Sequence, residues 1–449
     1  MQRAPISHCV KKKPEQVKPL EETSMDRRHL LKASLALGAG ALVAPTRFAF
    51  AQEKDLRLYW WGSQDRSRRT LEVAKLFEES RPGVKITGEA PGGDYWTKLT
   101  TMIAGRNMPD IMQYEPSTLP DYSKRKVLLP LDNYLGKTIR TDRFAPGALA
   151  LGTVDGSVTG IPLSINTFAL IYNEEAFNAT GLTPPSKTTT WDEFADLAVE
   201  LTKKYGKSRV WGSANASRYN YVFQAWLTQR GKLLFTEDGK LGFTVDDAKE
   251  WYTYWAKLDA RGGLVAADVQ AQDQHLIDSN PLMKGNALMA FVFSNQLSGY
   301  QAATQAPLGI TSLPISAADK PSGLFYRPGL HWAIAKTSKN PDEAAAFIDF
   351  FVNNPAAGKV LGAERGVPVN LDVRADVVPN LDAVTKKTVD YIGDVATRVT
   401  AYPPPAPAGA NEFDHQVMRP IADKLAFGQL TVAEAAENMV NFGRRVLKY

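Results

Sequence analysis

Cysteine is nearly missing from this sequence and histidine is sparse. The single cysteine, Cys9, stands within the first 51 residues. Beyond that point, disulfides, thiol nucleophiles and cysteine-ligated zinc are excluded. Only His275, His331 and His415 lie outside the same leader, too scattered to suggest a metal-ligand set. A long hydrophobic run is also absent, since the apolar stretch Ala33 to Ala44 is too short to span a bilayer comfortably. Nor does either sign of charge dominate. The leader holds nine of the 53 basic and four of the 48 acidic residues, which accounts for the whole net charge of +5. The remaining chain is formally neutral, which argues against a nucleic-acid-binding body. No G-x-S-x-G, H-E-x-x-H, Walker A or Rossmann glycine pattern occurs, so no cofactor or metal is expected.

What is present is an ordinary globular balance, 44% hydrophobic and 22% charged over 449 residues. That length allows two or three domains and a core that needs no covalent support. The leader reads as a cleavable export signal. Asp26-Arg27-Arg28 precedes the apolar run, Pro45 ends it, and Ala49-Phe50-Ala51 places small residues at a peptidase site before Gln52. The arginine pair resembles the twin-arginine signal, with Asp26 and Leu30 at places usually held by Ser or Thr and by Phe. An uncleaved membrane anchor is the alternative, and translation from Met1 or from Met25 fits equally well.

Strands and helices alternate after the leader. Leu56 to Trp61, Val84 to Thr87 and Asp110 to Tyr114 read as strands, with helices over Arg69 to Ser80 and Tyr95 to Ala104 between them. This alternation predicts an α/β fold with a parallel sheet. Thr167 to Tyr172 forms a continuous apolar strand. Capping boxes at Thr190/Glu193, Thr244/Asp247 and Thr431/Glu434 open further helices, and Asn340-Pro341-Asp342-Glu343 opens another. Trp226, Trp251 and Trp255 fall at helical spacing, as core residues do. Lys320 to Pro328 breaks the pattern, and Tyr402 to Pro407 reads as exposed polyproline.

Four segments carry a resemblance: Phe77 to Glu115 with "RPGVKIT" and "YWTKLTTMIAGRNMPDIMQYE", "GIPLSINTFALIYNEEAF" with "TWDEFADLAVELTKK", "MKGNALMAFVFSN", and "GLHWAIAKTSKNPDEAAAFIDFFVNNPAAGKVLGAERGVPVN". In this order they resemble the family 1 extracellular solute-binding proteins of ABC sugar importers, the group that contains maltose-binding protein. Trp60-Trp61-Gly62 before an arginine-rich helix start is similar to the branch of oligogalacturonide-binding receptors. The resemblance implies a two-lobe periplasmic binding fold with discontinuous lobes and a hinge. Lobe one would comprise 54–163 plus 326–372, and lobe two 164–325 plus 373–449, after the 1–51 extension and signal. It also implies a monomer that captures a carbohydrate and delivers it to a membrane permease.

A sugar receptor needs flat aromatic surfaces and convergent polar groups. Ligands of open α/β sheets sit outside the carboxyl ends of strands. That rule nominates Trp61, Ser63, Gln64 and Arg66 after the first strand and Glu115 after the third. Ser164 and Asn166 follow where the chain changes lobe, Arg218 and Asn220 ahead of Trp226, and Phe293, Ser294 and Asn295 after an apolar run. Tyr326, Arg327, His331 and Trp332 form the densest aromatic-and-donor cluster, in which one of Tyr326, His331 and Trp332 is expected to stack on the ligand. Arg66, Arg218 and Arg327 leave an acidic oligosaccharide as open as a neutral one. Two rivals stand beside this reading: a secreted lyase or hydrolase, and a receptor for a non-sugar solute.

Overall fold

The structure, a computed structural model, describes residues 53–449 apart from 92, 93, 318 and 405. The export signal read in residues 1–51 lies outside the described residues. No helix among the described residues is long and apolar enough to cross a membrane.

The first sheet has five strands, ordered Val84–Glu89, Lys54–Tyr59, Ile111–Tyr114, His331–Ile334, Ile161–Pro162. The first three strands run parallel, with Leu56 opposite Ile86 and Tyr59 opposite Met112. His331–Ile334 returns antiparallel, placing His331 between Tyr114 and Pro162. The second sheet, Leu308–Thr311, Phe168–Asn173, Met289–Phe293, is antiparallel throughout. The expectation of a parallel sheet therefore holds only for the opening three strands. Later strands return from long excursions that carry several helices, and such connections permit either direction.

Local signals set most of the elements. Thr190, Thr244 and Thr431 each form the reciprocal capping box at the start of Trp191–Tyr205, Val245–Ala260 and Val432–Leu447. The first helix, Gln64–Ser80, starts five residues before the periodic stretch because Ser63 caps it by accepting from the Arg66 amide. Its first turn is polar and is held by Arg68 and Arg69 bonding Asp65, so the hydrophobic period does not reveal it. Asn340 precedes Pro341–Asn353 but makes no side-chain cap; its amide instead donates to the Asp55 carbonyl at 3.0 Å. Phe77 and Phe347 meet edge-on at 5.4 Å and join the helices beside the first sheet. On the second sheet's side Trp226, Trp251 and Trp255 are all but fully buried and interlock, with centroids 5.7 and 5.4 Å apart. Such aromatic pairs contribute about 0.5–1.5 kcal/mol each beyond their buried area.

Between the two sheets lies a three-stranded antiparallel ribbon, Arg327–Pro328, Ser164–Asn166, Val367–Pro368. Here the chain leaves the first sheet after Ile161–Pro162, and here it returns before His331–Ile334. Arg327 pairs with Asn166, and Ser164 pairs with Pro368. Two glycines allow this close crossing. A Cβ on Gly329 would meet the Ser164 hydroxyl at 2.2 Å and the Arg365 carbonyl at 2.8 Å, and Gly366 has φ +109. Neither place admits a larger side chain without strain.

Candidate functional site

A cavity of about 290 Å³ opens beside the ribbon. Arg66, Glu364 and Arg365 line it from the first sheet's side, Asn295, Ser298, Thr385 and Thr388 from the second's, and Asn166 from the ribbon itself. The lining is mostly hydroxyl, amide and charge, the chemistry that pairs with a polyhydroxylated solute. Its two arginines share one carboxylate. Arg66 Nε lies 2.8 Å from Glu364 Oε1, and Arg365 Nη1 lies 3.2 Å from Glu364 Oε2. Arg365 also donates to Thr70 Oγ1 at 2.7 Å, with its guanidinium 5.4 Å from the Phe351 ring centre and 5.9 Å from that of Trp332. Burial pulls the Arg365 pKa down to about 9, against the opposing pull of Glu364.

Two aromatic walls stand near the strand ends. On the first sheet's side the half-buried Trp61 and Trp96 meet at 5.3 Å, backed by Tyr95 at 4.6 Å from Trp61. On the second, Phe168, Tyr221 and Phe293 pack with centroids 4.7 to 5.4 Å apart. The Tyr221 hydroxyl donates to the Phe291 carbonyl at 2.8 Å, and its ring stacks with Phe168 and Tyr219. Arg327 lies over Phe293, Cζ to centroid 4.5 Å.

The nominated residues separate into those that reach open surface and those walled in. Trp61, Glu115, Asn220, Phe293 and Arg327 are half-buried, and Gln64 is exposed at the first helix's start. Arg66 and Asn166 line the cavity. Asn166 is 7% exposed, and its Oδ1 has no partner among the described residues. Ser63 is occupied as a helix cap.

The others are corrected by the structure. Ser164 is fully buried and donates to the Arg365 carbonyl. Ser294 is fully buried and accepts from the Thr167 amide at 3.1 Å. Both tie the crossing strands together rather than face a solute. Arg218 is 4% exposed and paired with Asp423 at 3.2 Å. Tyr326 sits in the core at 4% exposure. His331 and Trp332 have no exposed surface. His331 Nε2 donates to the Leu151 carbonyl at 3.0 Å, and Trp332 packs edge-on against Phe351 at 5.4 Å. Their strand is covered on both faces, so no ring of this cluster offers a stacking platform.

Asn295, nominated with Phe293 and Ser294, lies in the cavity lining. Trp96, Tyr221, Ser298 and Glu364 were not nominated from sequence. Glu364 directly precedes the Arg365-Gly366 turn, so proximity to the crossing strands was the available signal. Trp96 and Tyr221 sit at helix starts, where spacing alone does not separate a wall from a core.

A sequence profile of the bacterial extracellular solute-binding proteins matches residues 62–358. A lactose-binding protein of Rhizobium radiobacter is 25% identical over 370 residues, 76% of this chain and 83% of that protein. A maltodextrin-binding protein of Bacillus subtilis is 26% identical over 368 residues, 77% and 82%. Among solved structures, a family 1 extracellular solute-binding protein of Alicyclobacillus acidocaldarius superposes with TM-score 0.78 at 29% identity, covering 88% of this chain and 98% of that one. An oligogalacturonide-binding protein of Yersinia enterocolitica shares the fold at TM-score 0.75 and 22% identity, covering 88% and 99%. With two sheets joined by a crossing ribbon and a polar cavity beside it, this chain belongs to the bacterial extracellular solute-binding protein family.

Proposed function

We propose that the chain is an exported receptor that captures a carbohydrate beside the crossing ribbon and delivers it to the membrane permease of an ABC importer. The observation that carries the sugar reading is the hydroxyl- and amide-lined cavity fed from both sheets, with half-buried aromatic rings at the strand ends of each. Relatives whose names specify lactose and maltodextrin support the same ligand class.

In this reading the ribbon is a hinge between two lobes. Lobe one is 54–163 with 326–372, and lobe two is 164–325 with 373–449. Helix Leu371–Val377 rests on Pro355–Leu361, where a Cβ on Gly358 would meet Val373 at 2.4 Å and Val377 at 3.6 Å. A ligand touching both lobes favours the closed state by its differential affinity. Calorimetric titration of the exported form with lactose, maltodextrins and oligogalacturonates, alongside amino acids and glycerol phosphate, tests the reading. At least one saccharide is expected to bind without being consumed, and X-ray scattering at saturation is expected to show a smaller radius of gyration for a monomer. Turnover of the sugar, or binding only by the non-sugars, would refute it.

Export is part of the same proposal, by cleavage after Ala51 through a twin-arginine signal. Intact mass of protein recovered from the periplasm should correspond to a chain starting at Gln52. A mass retaining the leader, found in the membrane fraction, contradicts cleavage.

A further inference from the structure

We infer that the solute carries a carboxylate and that Arg327 is the residue that selects it. The inference rests on the receptor reading above and narrows its ligand.

Of the arginines that are buried or half-buried, Arg327 alone makes neither an ion pair nor a hydrogen bond among the described residues. Arg66 has Glu364, Arg218 has Asp423, Arg230 has Glu250, Arg419 has Asp414, and Arg374 donates to the Pro368 carbonyl. Instead of a carboxylate, Arg327 has rings around it. Its guanidinium lies 4.5 Å from the Phe293 centre and 6.0 Å from that of Phe168, with Tyr221 and Tyr402 nearby. A guanidinium half withdrawn from water among rings, with no protein acceptor for its five donors, is costly to keep. An anion placed against it in these apolar surroundings recovers that cost, since the field there is weakly screened.

Register sets this group on the ribbon face that the cavity shares, although Arg327 is not itself part of the cavity lining. Arg327 and Asn166 are direct partners across the antiparallel ribbon, and directly opposed residues project from the same face. Asn166 lines the cavity. The Arg327 stem therefore leaves the ribbon on the cavity's side and carries its charge to the carboxyl end of Met289–Phe293. The other guanidiniums of the cavity, Arg66 and Arg365, are both already bonded to Glu364, which offsets one of their two charges. A sugar acid satisfies both halves of the arrangement. Its hydroxyls meet the hydroxyl and amide lining, and its carboxylate accepts two parallel N–H bonds from the guanidinium fork.

The test is calorimetric titration of the mature chain, wild type and Arg327→Gln, with di- and trigalacturonate, with their methyl esters, and with neutral oligosaccharides of the same length. Arg327→Lys serves as the variant that keeps the charge and loses the fork, and a thermal melt of each variant guards against misfolding. Wild type is expected to prefer acid over ester. Arg327→Gln should lose on the order of 30- to 1,000-fold in affinity for the acid, the range for truncating one partner of a buried charge pair. The same variant should lose far less affinity for the ester, and Arg327→Lys should fall between. Equal affinity of wild type for acid and ester overturns the inference, as does an equal loss for both in Arg327→Gln. Binding of a neutral sugar but of no uronate overturns it while leaving the receptor reading intact. If no saccharide binds, acidic or neutral, the receptor reading fails and this inference fails with it.

Discussion

Arg218→Ala is expected to unfold the protein more readily, by about 3–5 kcal/mol, the cost of leaving one member of a buried ion pair without its partner. The guanidinium is 4% exposed. It lies 3.2 Å from Asp423 and donates to the Gln270 carbonyl, while Gln270 Nε2 donates to Asp423 at 3.0 Å. The three side chains tie helix Arg419–Ala426 to the turn Ala216–Arg218, whose Ser217 carbonyl accepts from Trp251 in the tryptophan core. Alanine leaves Asp423 unpaired. The Asp423 side chain is 22% exposed, so water recovers part of its solvation and the loss falls toward the lower end of the range. Replacing both partners by apolar residues, Arg218→Met with Asp423→Leu, should recover much of the stability, because the pair's own desolvation penalty disappears with it. Urea unfolding of the single and double variants measures this. If Arg218→Ala keeps its unfolding midpoint while losing sugar affinity, the residue belongs to the binding surface and the structural assignment is wrong.

Arg218 and Arg327 show what a sequence can and cannot carry. Both stand beside aromatic residues, and residue type and spacing treat them alike. What separates them is Asp423, more than 200 positions away in sequence, which neutralises one, while no carboxylate among the described residues meets the other. Long-range partners of this kind leave no local signal. Local chemistry, by contrast, was legible in most places, though Asn340 makes no side-chain cap and the Ser63 cap was missed. Each of the three threonine capping boxes formed as written because the reciprocal bonds close within four residues. Tyr95–Ala104 and the apolar Phe168–Asn173 appeared nearly where periodicity put them. The crowded segment Tyr326 to Trp332 misled for a related reason. Aromatic density suggests a platform only if one face of the strand is open, and here His331 contacts the Leu151 carbonyl while Trp332 meets Phe351. Whether a strand is covered on one face or two is decided by elements elsewhere in the chain. The ribbon was legible as a break at Lys320 to Pro328, but its register, which brings Arg327 beside Asn166, was not.

Acid should weaken the fold well before its carboxylates titrate. His331 is fully buried, and its proton sits on Nε2, held by the Leu151 carbonyl. Nδ1 makes no close hydrogen bond among the described residues, and the backbone of Tyr114, opposite it in the sheet, offsets only part of the cost of a second proton on the buried ring. Burial pulls the pKa down to about 4, and the bond with Leu151 offsets only part of the effect. Unfolding releases the ring to its ordinary value of roughly 6.5. The folded pKa is the lower of the two, so the unfolded state binds the proton first. Stability is complete above pH 6.5 and is lost as pH falls through the interval down to the folded value. The slope is about 1.4 kcal/mol per pH unit, on the order of 3 kcal/mol across the interval. His275 acts in the same direction, held down to about 2 by burial and by the nearby Arg419 and Arg218. Its neighbour Asp273 is shifted upward by burial and opposes it, which makes His331 the cleaner probe. Urea midpoints of wild type and His331→Gln between pH 7 and pH 5 isolate the effect, because unfolded carboxylates titrate near or below pH 4.3. Gln keeps a donor for the Leu151 carbonyl and takes up no proton. The variant should lose less stability over this range than wild type, whatever its starting value at pH 7. Parallel curves for the two proteins would show that His331 does not carry the acid response.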